Sequence, residues 1–132
     1  MRGGNFPLAY TYPKEMRATR DLLRRRSRIV HHGAMLKAHV VNTTSQYNLP
    51  PSKLNLKNRG HREQAHAAFA DKDAQRNIDL DLALIDCYHQ QLSKLEWHLE
   101  QQAKQHDPAA LSVLRSIPGI GRILALTILY EI

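Results

Sequence analysis

Disulfides, large aromatic cores and membrane spans are all excluded by what this sequence lacks. Cys87 is its single cysteine, so no internal disulfide can form. Aromatic residues make up 6 % of the chain, so the 42 % hydrophobic content rests on Leu, Ala, Ile and Val. That is the composition of helical bundles and coiled coils and disfavours a compact mixed fold. No run of about 18 apolar residues and no signal-peptide pattern occurs, so the chain is expected to be soluble and cytoplasmic, with no membrane partner. Acid is scarce too, but only in one half. Through Arg62, 13 Lys and Arg stand against Glu15 and Asp21, a balance of +11; from Glu63 onward 6 stand against 10 acids, a balance of −4. The first half is therefore suited to a polyanion.

The elements that remain read as all-α, with two long helices joined by a basic connector. Residues 1–13 carry Gly3, Gly4, Pro7 and Pro13 and cannot hold a long element, although Phe6, Leu8, Tyr10 and Tyr12 alternate like a short strand. No proline interrupts residues 14–47, where Leu22, Leu23, Ile29, Val30, Leu36 and Val40 recur at helical spacing, and Pro13 suits a first turn. Residues 48–70 hold a basic connector, 48–62, with Pro50, Pro51 and Gly60, and then a short helix from Glu63 to Phe69. In residues 71–106, capped by Asp71 or Asp73, Ile78, Ile85, Leu92 and Leu99 fall seven apart, with Tyr88 and Leu95 three residues after the middle pair. Polar Asp81 and Gln102 weaken the ends of this coiled-coil-like seam, while Leu82, Leu84 and Ala103 widen it. The six apolar seam residues can serve self-association of two chains or packing against the first rod within one chain. In residues 107–132, Asp107 and Pro108 open a short helix to Ser116, and "SIPGIGRILALTILYEI" follows as a turn and an apolar helix. A turn of this kind normally sits inside a larger domain, so a truncation is expected, with Leu124, Ile128 and Leu129 lacking cover.

Two groups of residues carry chemistry. Arg17, Arg20, Arg24, Arg28 and His31 are spaced 3, 4, 4 and 3 and line one helix face opposite the apolar stripe, with Arg25 beside it. A ladder of guanidinium forks can hold phosphates without reading sequence. Arg26 falls in the apolar sector and needs a carboxylate or a phosphate there. At the other end, Gly119 and Gly121 leave backbone amides uncovered at the start of the last helix, and Arg122 adds charge, a helix-hairpin-helix pattern suited to a phosphate oxygen. Asp71, Asp73, Asp79, Asp81 and Asp86 read as caps and solvated helix positions rather than as a metal site. The eight histidines offer no HExxH and no Cys-x-x-Cys partner, and no nucleophile elbow surrounds any serine.

"RGGNFPLAYTYPKEMRATRDLLRRR", "SQYNLPP", "DLALID" and "IPGIGRILALTILYEI" in this order resemble the central part of insertion-sequence transposases that have an N-terminal DEDD nuclease domain and a C-terminal serine-bearing domain, the bridge-RNA-guided recombinases. The similarity runs over essentially the whole chain. It implies that residues 1–13 are the edge of the nuclease domain, that the middle is a coiled-coil linker, and that residues 107–132 open the C-terminal transposase domain. It also implies that the metal-binding acids precede Met1 and the catalytic serine follows Ile132. The expectation is a transposase fragment with a role in DNA transposition and recombination, binding DNA or guide RNA and not catalytic by itself. It carries no cofactor, the divalent metal, Mg, belonging to the full-length family. The alternative is a free-standing helical protein-interaction module.

Overall fold

Every regular element among the described residues is a helix. A computed structural model describes residues 12–48 and 59–132, except the side chains of Arg59 and His61, and holds α1 (Lys14–Gln46), α2 (Arg59–Ala68), α3 (Lys72–His106), α4 (Pro108–Ser116) and α5 (Arg122–Glu131). The strand expected in residues 1–13 falls outside the described residues except for Tyr12 and Pro13, as does the connector except for Asn48 and residues 59–62.

Local chemistry sets the helix ends. The carbonyl of Pro13 accepts the Met16 amide at 3.1 Å as α1 begins. At the other end Asn48 adopts φ 55° and donates to the Ser45 carbonyl at 3.0 Å, a left-handed terminus that asparagine tolerates. Helix α2 starts at Arg59 and not, as expected, at Glu63, so Gly60 lies in its first turn, where amides have no intrahelical acceptor to lose. Of the two candidate caps for α3, Asp71 is the one used: its Oδ1 accepts from the amides of Asp73 at 2.7 Å and Ala74 at 3.3 Å. Asp107 caps α4 through the Ala110 amide at 3.0 Å, with Pro108 in the first turn.

The chain divides into two compact units, Arg25–Glu96 and Met1–Arg24 with Trp97–Ile132. In the first, which we call the hairpin unit, parts of α1 and α3 run antiparallel, as the pairs Arg26 with Glu96, His32 with Tyr88 and His39 with Asp81 show. Its core joins Val40, Phe69, Ala74, Ile78, Leu82 and Ile85, with Leu36 against it. Thr43 and Thr44 are buried on α1 and satisfy their hydroxyls on the His39 and Val40 carbonyls at 2.8 and 2.7 Å. The second, the terminal unit, buries Thr19 and Leu23 of α1, Leu99 and Ala103 of α3, Leu111 of α4, and Ala125, Leu126 and Tyr130 of α5.

Three sequence expectations need correction. Ile78 and Leu99 are 0 % exposed and Ile85 1 %, so at these three seam positions packing within one chain already covers the side chains. Tyr88, Leu92 and Leu95 are half-buried. Leu84 does not widen the stripe but stands exposed, as do Leu22 and Val30. Helix α5 does not lack cover: Ala125, Leu126 and Tyr130 are fully buried, and among the three residues expected to be bare only Leu124 is exposed. A helix whose apolar residues fall on several sides can bury one side and expose another, and α5 does both.

Candidate nucleic-acid interface

The arginines of α1 differ in their partners. Arg17, Arg25 and Arg28 are exposed and have no ion-pair partner among the described residues. Arg20 is half-buried, its guanidinium carbon 4.1 Å from the centre of the Tyr12 ring, and its Nε is buried without a hydrogen-bond partner. Its position follows from the neighbouring buried face of Thr19 and Leu23, which places residue 20 on the border between core and solvent. Arg24 is engaged by Glu131 in a two-pronged contact, Nε to Oε1 at 2.7 Å and Nη2 to Oε2 at 2.9 Å. This bond raises the Arg24 pKa and holds the Glu131 carboxyl below the usual carboxylate range. The expected ladder of equivalent forks is thus three open forks, one stacked and one occupied. His31 is exposed and its ring lies 6.3 Å from that of His32.

Arg26 has the carboxylate that its place in the apolar sector demands. Its Nε donates to Glu96 Oε1 at 2.7 Å, and the two side chains are 19 % and 16 % exposed. The other cross-helix contacts of the hairpin unit also use acids of the second half. Asp86 accepts from both Nη atoms of Arg62 at 2.6 Å, and this bond holds its carboxyl below the ordinary range. His66 meets Asp79 at 2.9 Å, and His39 meets the buried Asp81. Asp79 and Asp86 face His66 and Arg62, and Asp81 is buried rather than solvated; the imidazole of His39 satisfies a polar group in the seam that would otherwise weaken it.

The hairpin of the terminal unit combines a specified turn with an open helix start. Gly119 has φ 86° between Pro118 and Ile120, and the Ile120 amide donates to the Ile117 carbonyl at 3.2 Å, the arrangement of a type II turn, which requires a positive φ after its proline. Gly121 is different: φ −80° and ψ −178° are extended values that any residue adopts, and an added Cβ would meet no atom within 4 Å. Its contribution is as an N-cap without a side-chain bond, so the first amides of α5 receive no cover from it. Arg122 and Arg115 lie 3.6 and 3.8 Å from the same Glu100 oxygen.

Sequence reasoning missed a polar contact inside the terminal unit. The hydroxyl of the fully buried Tyr130 lies 2.7 Å from His106 Nδ1, with the rings edge to face at 5.8 Å. Burial pushes the Tyr130 hydroxyl up to about 12, and Tyr12 adds to the shift. Nothing in the local pattern marks this pair, which links residues 24 apart on α3 and α5. Among the described residues, no group of three or more His, Cys, Asp or Glu is placed to hold a metal ion, and no helix is long and apolar enough to cross a membrane. Compared with protein-family models, curated proteins and solved structures, the chain matches none.

Proposed function

We propose that this chain is a nucleic-acid-binding helical portion of a transposase of the bridge-RNA-guided kind, acting in DNA transposition and recombination through phosphate contacts and contributing no catalytic group of its own. The observation that carries the reading is the state of Arg17, Arg25 and Arg28. These three are exposed and have no ion-pair partner among the described residues, while Arg24, Arg26 and Arg62 each meet a carboxylate. A cation left open in a segment of +11, where only Glu15 and Asp21 could neutralise it, is available to a polyanion and adds to the field that attracts one. The ligand is DNA or guide RNA, both of which offer the phosphate that the fork recognises. The turn at Gly119 and the amides that follow Gly121 supply a second contact of the same kind, with Arg122 beside them.

The test is the salt dependence of binding. Replacing Arg17, Arg25 and Arg28 with Gln should weaken binding of duplex DNA and of RNA and lower the log-log salt slope by about 2 to 3 units for a duplex. An unchanged slope would reject the assignment. A helical protein-interaction module has one observation in its favour, an open apolar groove of about 560 Å³ between α4 and α5, lined by Asp107, Ala110, Val113, Leu114, Ile128 and Leu129. Absence of any salt-dependent polyanion binding by the intact chain would transfer the assignment to that reading.

A further inference from the structure

We propose that Glu131 occupies a phosphate subsite on Arg24, so that nucleic acid and the last turn of α5 compete for the same guanidinium edge. This rests on the nucleic-acid reading above and adds a regulator to it. The two carboxylate oxygens of Glu131 take Nε and Nη2 of Arg24 at 2.7 and 2.9 Å, the same planar fork that holds two oxygens of a phosphate. The pair is open to exchange, because the Arg24 side chain is 55 % exposed and that of Glu131 30 %. An exposed ion pair contributes little net stability, so a polyanion that also engages neighbouring cations can displace it. One such cation is in place: Arg20 lies one helical turn before Arg24, stacked on Tyr12, with an Nε that has no hydrogen-bond partner. Arg20 is also close enough to act electrostatically on Glu131. Departure of Glu131 therefore frees the Arg24 fork for a backbone phosphate, with the half-buried charge of Arg20 one turn away to add attraction.

The consequence for α5 is confined to its end. Tyr130 stays seated through its burial and its contact with His106, whereas Glu131 and Ile132 lose the tether to α1. Nucleic-acid binding should thus raise amide exchange at Glu131 and Ile132 without releasing Ala125, Leu126 or Tyr130.

The experiment titrates the full chain with a short oligodeoxythymidylate over a series of salt concentrations. Glu131→Gln should bind about two- to five-fold tighter, the size of an exposed ion pair, and steepen the salt slope by about 0.7. Glu15→Gln supplies the control, since it removes the same charge from the exposed first turn of α1. Equal gains in the two variants would overturn the competition. In an Arg24→Gln background, Glu131→Gln should do nothing further; an undiminished gain there would also overturn it. If neither the wild type nor Glu131→Gln binds the oligonucleotide, the nucleic-acid reading itself falls and the competition with it. If the wild type binds but Glu131→Gln behaves as Glu15→Gln does, only the competition falls.

Discussion

The two units of this chain specify their packing in different ways. In the hairpin unit, apolar burial is accompanied by four polar contacts between helices: Arg26 with Glu96, His39 with Asp81, Arg62 with Asp86 and His66 with Asp79. In the terminal unit the fully buried positions are apolar or aromatic, Leu99, Ala103, Ala125, Leu126 and Tyr130, and the geometry is set by a cap at Asp107 and a turn at Gly119. Apolar contact is non-directional and leaves helices able to slide by a turn, whereas a charge or imidazole paired at one position fixes the register. The hairpin unit, built from long helices with a repeating stripe, needs that pinning. The terminal unit, built from short helices and tight connections, takes part of its register from the chain itself and adds the polar contacts of His106 with Tyr130 and of Arg24 with Glu131.

The comparison breaks most visibly at the apolar side. Leu126 is 0 % exposed on α5, and Leu126→Ala removes its buried methyl groups and leaves a cavity, at a cost of about 2–5 kcal/mol. The loss should appear in thermal melting and, by hydrogen exchange, first in residues 97–132. If protection at Ile78 and Ile85 drops equally early, the two units are a single cooperative body and the distinction drawn above is wrong.

A smaller effect is expected from the best-buried ion pair of the hairpin unit. Glu96→Gln leaves the Arg26 guanidinium without its charge partner at sites only 16 % and 19 % exposed, which should cost about 1–3 kcal/mol. Combining Arg26→Met with Glu96→Leu removes both charges and should return most of the melting temperature. Antiparallel register should nonetheless loosen in the double variant, seen as faster exchange in α1 and α3 at unchanged helicity. A double variant that melts as low as Glu96→Gln would mean that the pair holds the helices together and does not merely position them.

Helices and caps were legible from sequence because their causes are local. Pro13, the proline-free run after it, Asp71 and Asp107 act within four residues, and α1, α3 and α4 lie within about a residue of the expected spans. The need of Arg26 for an acid was also legible, since the helical wheel placed it among apolar neighbours. That the acid is Glu96, 70 residues away, was not. The same limit applies to the candidate interface. Five arginines that look equivalent on a wheel are sorted into open, stacked and occupied by Tyr12 and Glu131, and Glu131 lies 107 residues from Arg24. Helical spacing reports which side chains share a face; it carries no information about which residue from a distant helix arrives at that face.

The smallest effect separates the exposed pair Arg62 with Asp86 from the more buried one. Its geometry is good, with both Nη atoms 2.6 Å from the carboxylate oxygens, but the Asp86 side chain is 49 % exposed, so water screens the pair and its stabilisation should stay under about 1 kcal/mol. Because the bond to Arg62 lowers the folded-state pKa of Asp86, its contribution is present above the ordinary aspartate value of about 3.9 and disappears as pH falls through the lowered value. Asp86→Asn should therefore be slightly less stable than wild type at about pH 6, and the two should converge as pH falls below the lowered value and the wild-type carboxyl becomes protonated as well. Urea midpoints measured across that range give the difference directly. A gap that persists to the acid end would assign the effect of Asp86 to packing on α2, and the polar pinning of the hairpin unit would then rest on Glu96, Asp81 and Asp79.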